Sequence, residues 1–569
     1  MRIRLCVVDG AALVESAHVA LADGDVLGAI THLREAVAVR PDPSAREQLG
    51  GLLFFVDDLA GARQQLERAF REWRNAGEAR AAALVAALLA DLHSSGFGNR
   101  VVGQGWVARA RRLLAPEGRC VEQGYVELAV IACETDDAER LEQATQFALE
   151  LAGEFDDTEL EVRALADSGY GLVVRGRVAE GFARLDEAMA ALSAGEVRSP
   201  STAGKTYCAL LSACERTGDV ARAEEWTRVI YDDLSQLTGG RPRTMYAHCR
   251  MVYGSVLCTA GRWPEGEAAL LDVLGPNGTA YLAHYAEAAV RLASLRLIQG
   301  RVEEAAELLG PFEDRPDACE PLGRLHLLAG ELDLAEAAAR RGLDGIRHDV
   351  LHAGRLRSLL VEIELSRNNV EVAARHADAL TELAEKAEHR PLLAQAELAR
   401  ARVAAARLDF DDAVSAFKQA RSHLAGDQHP LLSGTIALEL AEVLLAAGAR
   451  GAAVDHARAA AAIFDRLGAV QLVDRTEAVL RSLGERARST GRRPAVAVAG
   501  LTEREHQVLE LLRAGLTNPE IGERLFISVK TVEHHVGRVL AKLGVRNRAE
   551  AAAVAAAAAL APNPPSPVS

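Results

Sequence analysis

The chain has 569 residues, a formal charge of −15 and only 4% aromatic residues, with Ala and Leu abundant. That composition favours helix over strand, and the length exceeds that of one domain. No apolar run reaches the roughly 18 residues a membrane-spanning helix requires, which argues against a helical membrane protein. The charge is uneven: residues 475–550 hold 14 Arg and Lys against 9 Glu, a surplus of +5 that leaves −20 for the rest. A basic segment on an acidic body fits a nucleic-acid module attached to something of another kind.

The opening MRIRLCVVDG is too short in its apolar core for a secretion signal and lacks a small-residue cleavage site. The expected location is therefore the cytoplasm, in association with the nucleoid. RIRLCVVDG resembles the first strand of a phospho-receiver, but helical patterns follow at once and no α/β alternation develops, so receiver function is not expected.

From about Val14 to Leu483 the pattern is one of helical hairpins. A small residue recurs at Ala29, Ala62, Gly181, Ala223, Gly266, Ala305, Ala335, Ala373, Ala413 and Ala453. Four residues later stands an apolar or small one, as in Leu33, Leu66, Leu185, Leu270, Leu309, Ala377, Phe417 and Ala457. Turns such as Gly24-Asp25, Gly176-Arg177, Gly218-Asp219, Gly261-Arg262 and Gly300-Arg301 precede many of them. Small residues let paired helices approach, and each hairpin buries its apolar side only by stacking on the next. These units resemble tetratricopeptide repeats, and the first adds Ala36 and Pro41 at the expected offsets. The spacings are 33, 119, 42, 43, 39, 30, 38, 40 and 40, nearer 40 than 34. The long gap is expected to hold two further hairpins, around Trp106–Leu114 and Ala138–Leu151.

SPSTAGKT, Ser199 to Thr206, ends like a phosphate-binding loop, but Ser199 replaces the first glycine and no apolar strand precedes it. A linker between hairpins is the expectation there, and neither an enzyme nor a cofactor is. The eight cysteines are scattered, with Cys208/Cys214 and Cys249/Cys258 nearest in sequence. They read as small buried residues of a cytosolic protein, without a metal.

The domain boundaries expected are a helical-repeat body over 1–483, a basic flexible linker over 484–497, a small domain over 498–561 and a disordered Pro-rich tail over 562–569. In the small domain, Thr502 with Glu505 and Thr517 with Glu520 form two T-x-x-E capping boxes, and Pro519 falls in a first turn. Gly515 and Gly544 sit at C-terminal caps, and Ser528 opens the third helix. A short helix over about Asn518 to Leu525, a tight connection at Phe526–Ser528 and a longer helix make a helix-turn-helix, whose second helix enters a DNA major groove.

On that helix Val529, Val532, Val536, Val539, Leu540 and Leu543 fall on one face, the expected core. The opposite arc holds Lys530, His534, Gly537 and Ala541, with Glu533 on one flank and Thr531, Arg538 and Lys542 on the other. Gly537 in mid-helix costs about 1 kcal/mol relative to Ala, which points to something approaching its backbone. The alternative is a solvated face of an ordinary three-helix bundle. Glu533 either accepts from a base donor such as cytosine N4 or pairs with Arg538 or solvent. His534 and His535 are adjacent, about 100° apart on the helix, and do not chelate one metal.

These residues carry a family resemblance. The segments Leu501–Glu505, Gly515–Ile521, Ser528–Val536 and Lys542–Val545, trailed by RNRAEAAAVA from Arg546, resemble the LuxR-type (GerE-like) DNA-binding domain over about 60 residues. The resemblance implies base reading by the outward arc, phosphate contacts from Thr531, Arg538 and Lys542, and DNA-binding roles for Thr517 and Asn518. It also implies a fourth helix, roughly Arg548 to Leu560, that pairs two protomers through Ala549, Ala552 and Ala553. The irregular repeats resemble the superhelical sensor region of large LuxR-type regulators, whose ATPase module finds no room in this sequence.

The expectation is thus an all-α protein, a tetratricopeptide-like α-solenoid followed by a four-helix helix-turn-helix domain, acting as a transcriptional regulator. Its expected partners are double-stranded DNA, a second copy on DNA, RNA polymerase, and an unidentified ligand or protein on the body; a membrane is not among them. An interaction scaffold or anti-regulator that uses the DNA domain only for localisation, and an ATP-driven switch, are the alternatives from other classes.

Overall fold

A computed structural model describes residues 10–485 except 57, 134–137, 238–242, 276–281, 346–347 and 425–427. Beyond them it describes 508–509, 511–512, 516–525, 529–543, 545, 548 and 551. The chain divides into two compact units, Met1–Glu485 and Arg486–Ser569. Residues 2–9 of the RIRLCVVDG opening, residues 486–497 of the linker and the Pro-rich tail lie outside the described residues.

Among the described residues all regular structure is helical. In the first unit twelve hairpins follow one another, from Gly10–Ala22 with Val26–Val39 to Pro430–Ala446 with Arg450–Leu467, and the helix Val470–Ser482 closes the row. No described helix is long and apolar enough to cross a membrane.

The recurring small residues explain why the helices pair. Each stands fourth in the second helix of its hairpin, as Ala29 does in Val26–Val39 and Ala413 in Phe410–His423. All ten are buried, and the eight alanines are fully so. Leu33, Leu66, Leu185, Leu270 and Leu309, one turn further on, have no exposed surface either. Facing each marker, twelve residues earlier, the first helix often places another small residue: Ala17, Gly50, Gly169, Gly254, Ala293, Gly323, Ala401 and Ala441. A Cβ on Gly169 would sit 2.8 Å from the Gly181 carbonyl oxygen, and one on Gly181 would sit 2.6 Å from that of Gly169. At this crossing the two backbones touch, and only glycine fits.

The long gap holds the two expected hairpins, Ala79–Asp91 with Arg100–Leu114 and Glu122–Cys133 with Ala138–Phe155. The first departs from the pattern. Asp91 stands where other hairpins place a small residue, and the helix runs into a π-helical turn, Leu92–Gly96. Buried Asp91 is met by Lys205, 114 residues away, through a direct ion pair. Burial opposes its ionisation, yet Lys205 and Arg163 hold the carboxyl below its usual range.

That pairing corrects the expectation for SPSTAGKT. The segment is not a linker: Ser199 N-caps the helix Pro200–Thr217, its hydroxyl accepting from Thr202 N at 3.3 Å. Gly204, Lys205 and Thr206 are interior helical residues, and the Thr206 hydroxyl donates to the Thr202 carbonyl at 2.9 Å. Cys208 and Cys249 also meet across neighbouring hairpins, with their Sγ atoms 3.4 Å apart, a proximity their spacing in sequence does not suggest.

The row of hairpins curls until it touches itself. Gly176 lies against Val350 and Ala387, Gly261 against Pro430 and Leu467, and Gly300 against Gln471. The turns of earlier hairpins therefore seat on the starts of much later first helices. Gly261 has φ +80, the left-handed conformation that lets its turn reverse without a Cβ striking Leu467 and Pro430. The first helices face the inside of this superhelix.

Candidate nucleic-acid interface

The second unit is built around two helices, Asn518–Leu525 and Val529–Leu543. Thr517 opens the first. Its backbone N–H and its hydroxyl both donate to Glu520 Oε2, at 2.6 and 2.7 Å, while its carbonyl accepts from Ile521 N at 2.9 Å. Glu520 thus closes its half of the capping box, satisfying an N–H that the helix leaves over. The Thr517 hydroxyl proton is directed at the same carboxylate. These two bonds from Thr517 hold the Glu520 carboxyl below its usual range.

Two apolar clusters fix the longer helix. Val532 packs with Val508, Leu512 and Ile521, and Val539 packs with Leu509 and Ala551; all seven lie at 2% exposure or less. Val536 and Leu540, half-buried, extend the same stripe. The core face expected from the sequence is therefore the observed one at these positions. Lys530, Glu533, Gly537, Arg538 and Lys542 are exposed. A Cβ built on Gly537 meets nothing within 4 Å, so no packing within the chain requires a glycine there.

Thr517 is exposed and Asn518 half-buried at the start of the preceding helix. Thr531, His534 and Ala541 belong to the longer helix, but their side chains lie outside the described residues. So do Thr502, Glu505, Gly515, Ser528, Gly544, Ala549, Ala552 and Ala553. One residue gains a role the sequence did not disclose: the Arg548 guanidinium donates to the Leu516 carbonyl, pinning the chain that follows the long helix to the turn before the short one. Its only sequence signal was a long cationic side chain 32 residues downstream of a turn. Ala551, fully buried against Leu509 and Val539, puts one face of that later segment into the core of the same chain.

A short capped helix followed three residues later by a longer helix with one face in the core and a largely basic, exposed outer face defines a helix-turn-helix protein. Comparison with known proteins makes the class specific. Residues 499–555 match the family model described as bacterial regulatory proteins, luxR family. The spore germination protein GerE of Bacillus subtilis is 49% identical over 51 residues, which cover 9% of this chain and 69% of that protein. The DNA-binding transcriptional activator DevR/DosR of Mycobacterium tuberculosis is 35% identical over 130 residues, 23% of this chain and 49% of that protein. The regulatory protein LiaR of Bacillus subtilis is 52% identical over 52 residues, 9% of this chain and 25% of LiaR. The chain thus spans about half of DevR/DosR and a quarter of LiaR. Among solved structures, the anaphase-promoting-complex tetramer Cut9-Hcn1 aligns over 82% of this chain and 96% of its own at 15% identity, with a TM-score of 0.45. By its C-terminal segment the chain belongs to the luxR family of bacterial regulatory proteins.

Proposed function

We propose that the chain is a DNA-binding transcriptional regulator that reads promoter DNA with the outer face of Val529–Leu543, as a dimer, under the control of a ligand or protein held by the helical-repeat body. The observation that carries the reading is the exposed arc of Lys530, Gly537, Arg538 and Lys542 on a helix whose opposite face is core. Lys530, Glu533, His534 and Gly537 face base edges in this reading, and Thr531, Arg538 and Lys542 hold phosphates. Thr517 and Asn518, at the start of the shorter helix, add contacts where a helix N-terminus favours an anion. Ala549, Ala552 and Ala553 pair two copies on a two-fold-related site, which sets two reading helices about one DNA turn apart. RNA polymerase is then the partner through which binding alters transcription, and the cytoplasm, at the nucleoid, is the place of action. The names of DevR/DosR and LiaR, a transcriptional activator and a transcriptional regulatory protein, support the same reading.

Salt titrations on a selected operator and on a scrambled duplex test it. Lys542→Ala should weaken both duplexes alike and reduce the salt slope by about one phosphate. Lys530→Ala should instead cost about 1–3 kcal/mol on the operator and relax base preference. Unchanged sequence preference in the Lys530 variant removes the helix from the groove.

A further inference from the structure

Along much of the body the arginine of a turn is neutralised by the preceding hairpin. Arg262 reaches Glu224 at 2.6 Å, Arg301 reaches Glu267 at 3.3 Å, Arg367 reaches Asp333 at 2.5 Å and Arg407 reaches Glu371 at 2.8 Å. Each pair ties a turn to the second helix of the hairpin before it and cancels the positive charge.

One part of the outer face is built differently. Residues 59–114 hold nine Arg against three Glu and one Asp, a surplus of +5 in a body that is otherwise strongly acidic. The helix Arg100–Leu114 contributes four of these arginines and no carboxylate. Leu59–Ala76 and Arg100–Leu114 are the second helices of consecutive hairpins, so both lie on the outside of the superhelix. Arg63, Arg68, Arg71, Arg74, Arg109 and Arg112 are exposed there, and none of them pairs with a carboxylate among the described residues.

Aromatic rings place three of these cations. Phe70 and Trp106 meet edge to face with centroids 5.0 Å apart, and the Arg109 guanidinium carbon stands 4.6 Å from both centroids. That of Arg74 lies 5.8 Å from the Phe70 centroid, and that of Arg63 lies 5.4 Å from the centroid of Phe97. A guanidinium over a ring gains a cation–π attraction and keeps N–H groups for a further acceptor. Burial first, then the like charges of Arg74 and Arg112, lower the Arg109 guanidinium below its usual range. Cations held this close without a carboxylate repel one another, and a polyanion removes that repulsion. The helical rise sets Arg63 and Arg74 about 17 Å apart along one axis, a length over which duplex DNA carries about ten phosphates.

We propose that this arginine–aromatic patch on the outside of the body is a second DNA-contacting surface, which holds the phosphate backbone of duplex without regard to sequence. Arginine matches a phosphate with two parallel hydrogen bonds. DNA is the polyanion at hand, because the C-terminal segment, of a DNA-binding family, brings duplex to the covalently attached body at high effective concentration. The patch adds affinity, while base preference stays with Val529–Leu543. This rests on the DNA-binding reading above for the supply of duplex, not for the contact itself.

Salt titrations of the full chain on a random-sequence duplex of about 50 base pairs test the surface. The triple variant Arg71→Gln, Arg74→Gln, Arg112→Gln should reduce the salt slope by about 2–3 and weaken binding at least tenfold near 0.1 M salt, since each lost phosphate contact removes close to one unit of slope. The double variant Arg71→Gln, Arg112→Gln spares the stacked side chains and should lose about 1–2 units, so a folding defect in the triple variant leaves the test standing. Arg74→Lys keeps the charge and should keep the slope. The ratio of operator to random-sequence affinity should stay at its wild-type value in all three. An unchanged slope in the double and triple variants overturns the proposal and leaves the helix-turn-helix reading intact. A reduced slope, with no operator preference in any form of the chain, keeps the patch and removes that reading. If the variants spare the slope and instead dissociate an oligomer of the free chain in sedimentation, the patch joins copies of this chain and the DNA assignment is wrong.

Discussion

Two exposed positions carry costs that the fold alone does not repay. Gly537 gives up helix stability in open surroundings. Gly537→Ala should therefore raise the stability of the C-terminal unit by about 1 kcal/mol. In the DNA reading the added methyl stands in the groove, so operator affinity should fall. A melting curve and an operator titration on the same variant decide the point, and stabilisation without lost affinity would take the glycine out of the interface. Leu408, in the turn before Phe410–His423, has φ +62 and is 72% exposed. A left-handed leucine is strained by roughly 1–2 kcal/mol, partly offset by the larger entropy of an unfolded glycine. Leu408→Gly should then stabilise the body by about 0.5–1 kcal/mol in urea titrations, and a loss of stability would mean that the exposed side chain packs in solution.

At the scale of the hairpin, what holds two helices together is the absence of side chain at their crossing. Gly169→Val forces the chain apart at the Gly181 carbonyl and at Leu185. It should cost about 1–3 kcal/mol, with hydrogen exchange accelerated in Thr158–Val174 and Val178–Ser193 ahead of distant hairpins. Uniform acceleration along the body would contradict the repeat picture, in which each hairpin leans chiefly on its neighbours. This level of structure was legible because its signal is local. The marker, the apolar residue one turn later and the preceding turn all fall within one hairpin, and so even the two unmarked hairpins of the long gap could be anticipated. The helix-turn-helix was legible for the same reason, since Thr517–Glu520 and the valine stripe of the long helix are short-range patterns. Asp91 with Lys205, the Arg548 tie to Leu516 and the return of the superhelix at Gly261 and Gly300 were not legible. They join residues tens to hundreds of positions apart with no period to announce them. The cluster of Arg74, Arg109 and Arg112 was missed for that reason too, because its members lie on two helices and each alone looks like ordinary helix surface.

The body as a whole should be acid-sensitive. Burial, aided by neighbouring charge, holds His248, His284, His352 and His389 at about 4, against 6.5 for a free imidazole. As the pH falls, the unfolded chain takes up these protons first, so the stability they confer above 6.5 is lost between 6.5 and 4. Glu215, whose burial is outweighed by Arg291 together with Arg216 and Ser255, is held at about 2 against 4.5 and extends the loss from 4.5 towards 2. Glu47 works the other way: burial raises it to about 7, so its contribution is present at low pH and fades as the pH rises through 7. Four histidines against one glutamate set the sign. The melting temperature of the body should fall from pH 7 to pH 5, and a flat or rising profile would show that these imidazoles are solvated.

The central claim is that this chain reads DNA sequence through the outer face of Val529–Leu543, and selection from a pool of random duplexes by the full chain tests it most directly. The account predicts an enriched motif with two-fold symmetry and half-sites about one helical turn apart, together with a changed base preference within the half-site when the selection is repeated with Lys530→Ala. A pool that stays random, or the same motif recovered by the variant, would contradict it.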